Sequence, residues 1–201
     1  VDLSSYGISG GIPPEIGELT KLKYLNLSNN QLSEKIPSEI ENLTNLEYLN
    51  LSNNQLSEEI PSEIENLTSL EYLNLSSNQL SEKIPSGIEN LINLEYLNLS
   101  NNQLSEEIPF ELWNLTNLKK IMLNNNNFSG IIISEIENLI NAEIIDFQEN
   151  QFSGILPNQV CFFYDKEIFI NFRYNNLCPP YPDCSLINEY FIHGQDTTNC
   201  N

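Results

Sequence analysis

The side chains that carry out most protein chemistry are either scarce in this chain or repeated along it. Histidine occurs once, as His193, with no serine and acid spaced around it as in a catalytic triad, and no glycine-rich phosphate loop is present. Catalytic carboxylates need one unique site with two environments, but the glutamates recur at fixed spacing, as Glu34, Glu58, Glu82 and Glu106 and as Glu39 and Glu63. We therefore expect no catalytic residues, no cofactor, no metal site and no enzyme. Calcium along these acidic rows is a minor alternative.

The cysteines are the other reactive group, and all four lie in the last 41 residues, as Cys161, Cys178, Cys184 and Cys200. An even number of clustered cysteines predicts two disulfides and hence an oxidising compartment. Three pairings are open. We favour 161–184 with 178–200, because Cys161 and Cys184 fall near the same part of successive coils. A metal site is the weaker alternative, since no pair has two-residue spacing.

The net charge of the chain limits the classes of partner that it can bind. The chain has 8 Lys and Arg against 28 Asp and Glu, a net charge of −20. Such acidity repels nucleic acid and anionic membrane surfaces, and no apolar run approaches the roughly 18 residues that span a bilayer. Cationic partners and neutral glycans remain open. The chain begins with neither a methionine nor a signal peptide, so we expect a processed or partial product.

A nine-residue phrase that returns every 24 residues must position all of these side chains. The phrase Leu25–Ser33 recurs from Leu49, Leu73 and Leu97, then with drift from Ile121 and Ile145, and from Ile170 after a one-residue slip, while Val1–Leu3 holds the same position one period earlier. A fixed period of this length with leucines at these offsets predicts an α/β solenoid of the leucine-rich repeat class, with about eight coils.

Alternation within the phrase predicts a short strand. Leu25 and Leu27 are expected to point inward, while Tyr24, Asn26 and Ser28 face solvent on a concave parallel sheet. The recurring proline, as in Pro37, marks a turn into the back of the coil, where a short 3₁₀ or helical turn follows.

One polar row is expected inside the solenoid. Asn30 recurs as Asn54, Asn78, Asn102, Asn126, Asn150 and Asn175, whereas the first coil has Tyr6 there. A buried amide needs hydrogen-bond partners, and it finds them in the bending backbone of adjacent coils. The row is therefore predicted to be structural, with Asn78 important for stability and the outward Asn74 of little consequence.

The phrase Leu32–Thr44, and more closely Ile12–Thr20, resembles the plant-type leucine-rich repeat, with its Leu-Ser-Gly-x-Ile-Pro signature. The chain is similar in this respect to receptor-kinase ectodomains and polygalacturonase-inhibiting proteins. The resemblance covers residues 1–160 and implies a second, smaller sheet beside the Ile-Pro turn. The family glycine remains as Gly10, Gly130 and Gly154, but glutamate replaces it in the middle coils.

The C-terminal part departs from the plant pattern. Its cysteine-rich segment resembles the caps of secreted microbial leucine-rich repeat proteins. We therefore predict repeat coils over residues 1–160 and a last coil with a disulfide-stabilised cap over 161–201. What the resemblance implies about function is a secreted recognition module, without the inhibitor activity of the plant proteins.

The concave face offers a candidate binding surface in the form of a regular row, Tyr24, Tyr48, Tyr72 and Tyr96, beside equally regular asparagines and serines. Identical side chains about 4.8 Å apart do not match an irregular surface, but they suit a periodic one, such as a polysaccharide, ice or another copy of the chain. The alternative is a spacer made by duplication.

The second candidate region spans 110–144, where the pattern breaks. Phe110 and Trp113 replace serine and glutamate on the back, and Lys119, Lys120, Met122 and Ile144 replace regular residues of the concave face. An exposed apolar and aromatic cluster is typical of a partner site. The alternative is that Phe110 and Trp113 only pack on each other.

We therefore expect an extracellular or cell-surface module that binds a protein partner through the concave face and the Phe110–Ile144 region. One alternative is a structural subunit whose solenoids associate through the uncapped N-terminal end, where Val1 and Leu3 would be bare. Another is a binder of a periodic surface. The partners are accordingly a protein or further copies of the chain, with a glycan open and nucleic acid excluded.

Overall fold

The computed structural model describes residues 1–166, 168–184 and 192–200, and it confirms the leucine-rich repeat solenoid. Residues 167, 185–191 and 201 of the predicted cap lie outside the described residues. The boundary at residue 160 stays a prediction.

A seven-stranded parallel sheet, here called the concave sheet, collects one three-residue strand from each repeat from Tyr24 onward, and the first coil adds only an isolated bridge between Asp2 and Asn26. Its register pairs like positions of neighbouring coils, so Tyr24 lies opposite Tyr48 and Ile144 opposite Phe169 despite the one-residue slip. The strands are Tyr24–Asn26, Tyr48–Asn50, Tyr72–Asn74, Tyr96–Asn98, Lys120–Met122, Ile144–Asp146 and Phe169–Asn171.

A second parallel sheet, here called the edge sheet, lies just before the Ile-Pro turn, as the family resemblance implies. Its six strands are Ser9–Gly10, Gln31–Glu34, Gln55–Glu59, Gln79–Glu82, Gln103–Glu107 and Asn127–Ser129. A separate two-stranded sheet continues the same position in the last coils, with Ser153–Ile155 and Asn176–Cys178.

Short 3₁₀ helices form the back of the coils, as predicted. Proline precedes most of them in extended conformation, as Pro37 does with φ −68° and ψ 143°, and so ends the edge strand without a donor to satisfy. The helices are Pro14–Glu18, Ser38–Asn42, Ser62–Asn66, Ser86–Asn90, Phe110–Asn114, Ser134–Asn138 and Asn158–Val160, and one α-helical turn, Cys161–Asp165, follows the last.

The leucines and isoleucines of the repeat fill a single continuous core. Leu25 and Leu27 are buried, and so are Ile36, Ile40 and Leu43 of the same coil. From the sixth coil onward the aliphatic side chains give way to phenylalanines, including Phe128, Phe147 and Phe152. Each coil therefore buries its apolar side chains against its neighbours, which is the energetic basis of a solenoid.

The inward asparagines make the bonds that their position requires. The Asn78 amide nitrogen donates to the carbonyls of Leu75 and Ser76 in its own coil and of Leu51 in the coil before, at 3.1–3.3 Å. Its carbonyl oxygen accepts from the Leu56 backbone N–H at 3.0 Å. The predicted structural role of this row is confirmed.

A glutamine near the C terminus repeats this arrangement, and it was not foreseen from the sequence. The Gln195 amide nitrogen donates to the carbonyls of Phe172 and Ile192, and its carbonyl oxygen accepts from the Leu177 N–H. These are the same own-coil and previous-coil bonds. The segment around Gln195 thus caps the coil before it, although it lacks the leucine spacing that reveals the other repeats.

Two disulfides hold this C-terminal segment, with the pairing that we favoured. Cys161 bonds to Cys184 and Cys178 to Cys200, with Cα atoms 5.2 and 5.5 Å apart. Both bridges connect residues about one coil apart, 23 and 22 positions in sequence. They fasten this segment to the coils before it.

The four glutamates that replace the family glycine adopt the left-handed backbone conformation that glycine has at this position. Their φ angles are 64–66°, the left-handed region, at Glu34, Glu58, Glu82 and Glu106. Gly10, Gly130 and Gly154 hold equivalent positions with φ of 74–90°. The repeat geometry therefore dictates the turn, and the glutamates adopt it at an energetic cost.

Asn78→Ala should lower the free energy of unfolding by about 1–3 kcal/mol, because it leaves buried backbone groups of two coils without partners. Urea unfolding monitored by circular dichroism measures the change. Asn74→Ala is the comparison, because the Asn74 side chain is also buried but bonds only to Ser76 and Tyr72 of its own coil. Contrary to the sequence prediction, this variant should lose stability too, but less than Asn78→Ala, since it leaves a single backbone group, the Ser76 N–H, without a partner. Equal losses for the two variants would contradict the inter-coil role of Asn78.

Glu82→Gly should raise the free energy of unfolding. The left-handed backbone costs a non-glycine residue about 1–2 kcal/mol, and glycine removes this cost. Glycine is also more flexible in the unfolded chain, which offsets about 0.5–1 kcal/mol of the gain. The control is Glu63→Gly, in the 3₁₀ helix Ser62–Asn66, which should lower it. A destabilised Glu82→Gly protein would show that the turn carries no strain.

Candidate functional site

The tyrosines of the concave sheet stack into one column. Consecutive rings from Tyr24 to Tyr96 lie 4.2–4.3 Å apart and within 13° of parallel. Both faces of Tyr48 and Tyr72 are therefore covered by neighbouring rings, and only edges and hydroxyls reach solvent. Burial raises the pKa of Tyr72 well above its usual range and also raises that of Tyr24.

The asparagine and serine rows beside this column are largely buried, which corrects the expectation that Asn26 and Ser28 face open solvent. Asn26 and Asn74 are 9% exposed, and the serines of the row are buried as well. The Asn74 side-chain oxygen accepts from both the N–H and the hydroxyl of Ser76. Close stacking of the tyrosines next to these short side chains covers them, so they form the floor of the sheet.

Charged side chains border the column on its other side. Lys23 pairs with Glu47 at 2.6 Å and Lys119 with Glu95 at 2.7 Å, with Glu71 between the two pairs along the row. Both pairs are exposed, and such pairs contribute little to stability. Their effect is on the potential of the surface, which is acidic through the middle coils.

The regular column ends after Tyr96. Lys120, Ile144 and Phe169 occupy the next three tyrosine positions, paired in register strand by strand. Lys120 and Ile144 are half-buried, and the Phe169 side chain is 50% exposed. We call this set, together with Met122 and Asp146 beside it, the C-terminal concave patch.

Two members of the patch were missed from the sequence. Phe169 lies after the one-residue slip, and Asp146 takes the asparagine position next to Met122 in register. Burial raises the pKa of the Asp146 carboxyl, against the hydrogen bond that it accepts from the Gln148 backbone. Tracing the tyrosine and asparagine positions through every repeat would have found both.

Trp113 corrects the predicted site. Its side chain is 1% exposed, so it does not offer a surface to a partner. The indole turns into the core and lies 6.3 Å from the Phe147 ring. The glutamates at its position in earlier coils suggested an outward side chain, but the aromatic core of the later coils leaves an apolar environment that draws the indole inward.

Phe110 is exposed, at 55%, but it lies apart from the concave sheet. It begins the 3₁₀ helix on the back of its coil and lines a shallow cleft with Lys83, Glu107 and Ser129. The predicted 110–144 region is thus two surfaces, and only Lys119, Lys120, Met122 and Ile144 belong to the concave one. The binding role of these residues, and of the tyrosines, stays a prediction.

The groups with catalytic potential are dispersed. His193 lies against Tyr174, with ring centroids 6.3 Å apart. Among residues 1–166, 168–184 and 192–200, no three His, Cys, Asp or Glu side chains are grouped to hold a metal ion. Within the same ranges, no helix has the length and apolar character needed to cross a membrane.

Comparison with solved structures identifies similar solenoids in plants. The chain is 35% identical to the ectodomain of the Arabidopsis thaliana receptor kinase GASSHO1/SCHENGEN3 in complex with CASPARIAN STRIP INTEGRITY FACTOR 2, with a TM-score of 0.79 over 84% of this chain and 20% of that one. It is 37% identical to the Arabidopsis receptor kinase HAESA, in complex with the peptide hormone IDA and the co-receptor SERK1, with a TM-score of 0.84 over 89% and 30%. The chain thus spans less than a third of either receptor.

A third similar structure is a plant ice-binding protein. It is 25% identical, with a TM-score of 0.65, and the match covers 94% of this chain and 81% of that one. No curated protein matches the chain in a comparison of sequences. A family profile described as a leucine-rich repeat region matches residues 11–160. With the period, the two sheets and the inward asparagines, this match shows that the chain belongs to the leucine-rich repeat family, in its plant-type form.

Proposed function

We propose that this chain is an extracellular recognition module that binds an extended segment of a protein partner on the C-terminal concave patch. The observation that carries the proposal is the row Lys120, Ile144 and Phe169. It continues the column of four stacked tyrosines in register, but with three different side chains. An irregular row distinguishes one partner sequence from another, whereas a uniform row does not.

The chemistry of the patch suits a peptide. Ile144, Met122 and Phe169 offer apolar contact to a side chain of the partner, and exposed aromatic residues are frequent energetic centres of interfaces. Lys120 lies opposite Ile144 and Asp146 opposite Met122 in the strand register, so one charge of each sign lies beside the apolar side chains. A strand-like peptide crossing the parallel strands would meet these groups one after another.

The setting supports the same function. Two disulfides are typical of proteins in oxidising, extracellular compartments. One of the similar plant structures, the receptor kinase HAESA, is described in complex with the peptide hormone IDA. Because the chain matches only part of each receptor, the identity of any peptide does not transfer to it.

The test is selection from a displayed library of random peptides, followed by affinity measurement on variants. Phe169→Ala and Ile144→Ala should each lower the affinity for the selected peptides by about tenfold or more, since each removes apolar contact at the centre of the patch. The matched controls are Phe110→Ala and Ile140→Ala. Both residues are at least as exposed as Phe169, at 55% and 54%, but lie off the concave sheet.

The controls separate the two surfaces of the predicted region. Loss of binding in Phe110→Ala with none in Phe169→Ala would move the site to the back of the coil. Peptides that bind all four variants as well as the unchanged chain would contradict the proposal.

A second candidate, binding to ice or an insoluble polysaccharide, is favoured by the uniform tyrosine column and by the similarity to a plant ice-binding protein. Sugar rings have no free ring face to stack on at Tyr48 or Tyr72, so contact would be through hydroxyl edges. The test is inhibition of ice recrystallisation and sedimentation with polysaccharide. Activity that falls in Tyr72→Ala and persists in Ile140→Ala supports this candidate, and absence of both activities in the unchanged chain removes it.

A further inference from the structure

Eight tripeptides of the chain have the form Asn-x-Ser/Thr, the acceptor signal for N-linked glycans in the secretory pathway. They begin at Asn26, Asn42, Asn50, Asn66, Asn74, Asn98, Asn114 and Asn127. Duplication of the repeat explains their number, but it does not make them equivalent. The fold places them in different environments, and these environments decide which of them a folded protein can carry as a glycan.

Four of the signals lie in the floor of the concave sheet, at Asn26, Asn50, Asn74 and Asn98. These asparagines are buried or half-buried, and the serines that complete the signals are buried. The side-chain oxygen of Asn74 is engaged by Ser76, and its nitrogen faces the Tyr72 hydroxyl. A sugar on that nitrogen would separate the tyrosine column from the sheet, so a chain modified there does not fold.

Three signals lie elsewhere, at Asn42, Asn66 and Asn114, each the last residue of a 3₁₀ helix. These asparagines are exposed, and so is the threonine two residues on, while the leucine between them is buried and fixes the turn. The Asn66 and Asn114 amides bond only to the exposed carboxylates of Glu41 and Glu89, at 3.1 and 3.0 Å. Water readily replaces such surface bonds.

We propose that Asn114, Asn42 and Asn66 carry N-linked glycans, with Asn114 the most fully occupied. Asn114 has no glycosylation signal at the same position of either neighbouring coil. The asparagines there, Asn90 and Asn138, are followed by Ile92 and Ile140 where the signal needs a serine or threonine. Asn42 and Asn66 lie on adjacent coils and compete for space, since neighbouring strands of the solenoid are only about 4.8 Å apart. The signal at Asn127, on the edge sheet, belongs to neither set.

The glycans would cover the flank of the solenoid where the 3₁₀ helices end and leave the concave sheet open. This inference rests on the extracellular location proposed above and not on peptide binding. Asn114 is the last residue of the 3₁₀ helix that Phe110 begins, so a glycan on Asn114 would shield the back of that coil. The concave patch is then the accessible irregular surface of this part of the protein.

The experiment is secretion of the full chain from yeast or insect cells, removal of glycans enzymatically in heavy-oxygen water, and peptide mass spectrometry of the folded protein. We expect near-complete labelling at Asn114, partial labelling at Asn42 and Asn66, and none at the four concave-sheet asparagines. No label at Asn114, or label at Asn26, Asn50, Asn74 or Asn98 in folded protein, would overturn the proposal.

Matched variants separate position from sequence signal. Ile92→Thr, which restores the residue found at Thr44 and Thr68, should give a new glycan at Asn90, whereas Thr116→Val should remove only the one at Asn114. Ser76→Thr strengthens a concave-sheet signal and should leave Asn74 empty. An unmodified Asn90 in Ile92→Thr would contradict the positional argument. Peptide selection on protein from a non-glycosylating bacterial host tests the proposed function independently.

Discussion

A solenoid must turn a sharp corner in every coil, and the backbone groups at that corner are buried where water does not reach them. The inward asparagine satisfies them with one side chain, which gives three bonds and accepts one, as Asn78 does between its own coil and the one before. Because each asparagine bonds to its own coil and to the one before, the row links successive coils in the same register as the paired strands. The left-handed glutamates show how strictly that register is imposed.

The features that depend on the period alone could be predicted from the sequence. The strand positions, inward leucines and asparagine row all follow from which residues share an offset, and even the slip before Ile170 is visible in that way. The sequence left three disulfide pairings open, and the one found was only favoured, because Cys161 and Cys184 fall near the same part of successive coils. Features that depend on the size of neighbouring side chains could not. Ser28 is buried because tyrosines stack beside it, and Trp113 turns inward because the later coils have an aromatic core.

The concave sheet consists of two surfaces with different physical character. In the first coils the exposed groups repeat, their aromatic faces are consumed by mutual stacking, and the border is acidic. In the later coils the same backbone presents Lys120, Ile144 and Phe169, so the scaffold is unchanged while the chemistry varies. The outward row of each strand can therefore change in chemistry while the inward leucines that stabilise the fold are kept.

Gln195 has a consequence for how such a protein changes in length over generations. Its amide forms hydrogen bonds with the coil before it and with its own segment, and it needs no partner from a following coil. The side chains of the inward asparagines bond in the same direction. A gene duplication that adds or removes one 24-residue unit in the uniform coils leaves that closing contact untouched. The number of coils can then change over generations, and the concave sheet can lengthen or shorten in steps of one coil without redesign of the segment around Gln195.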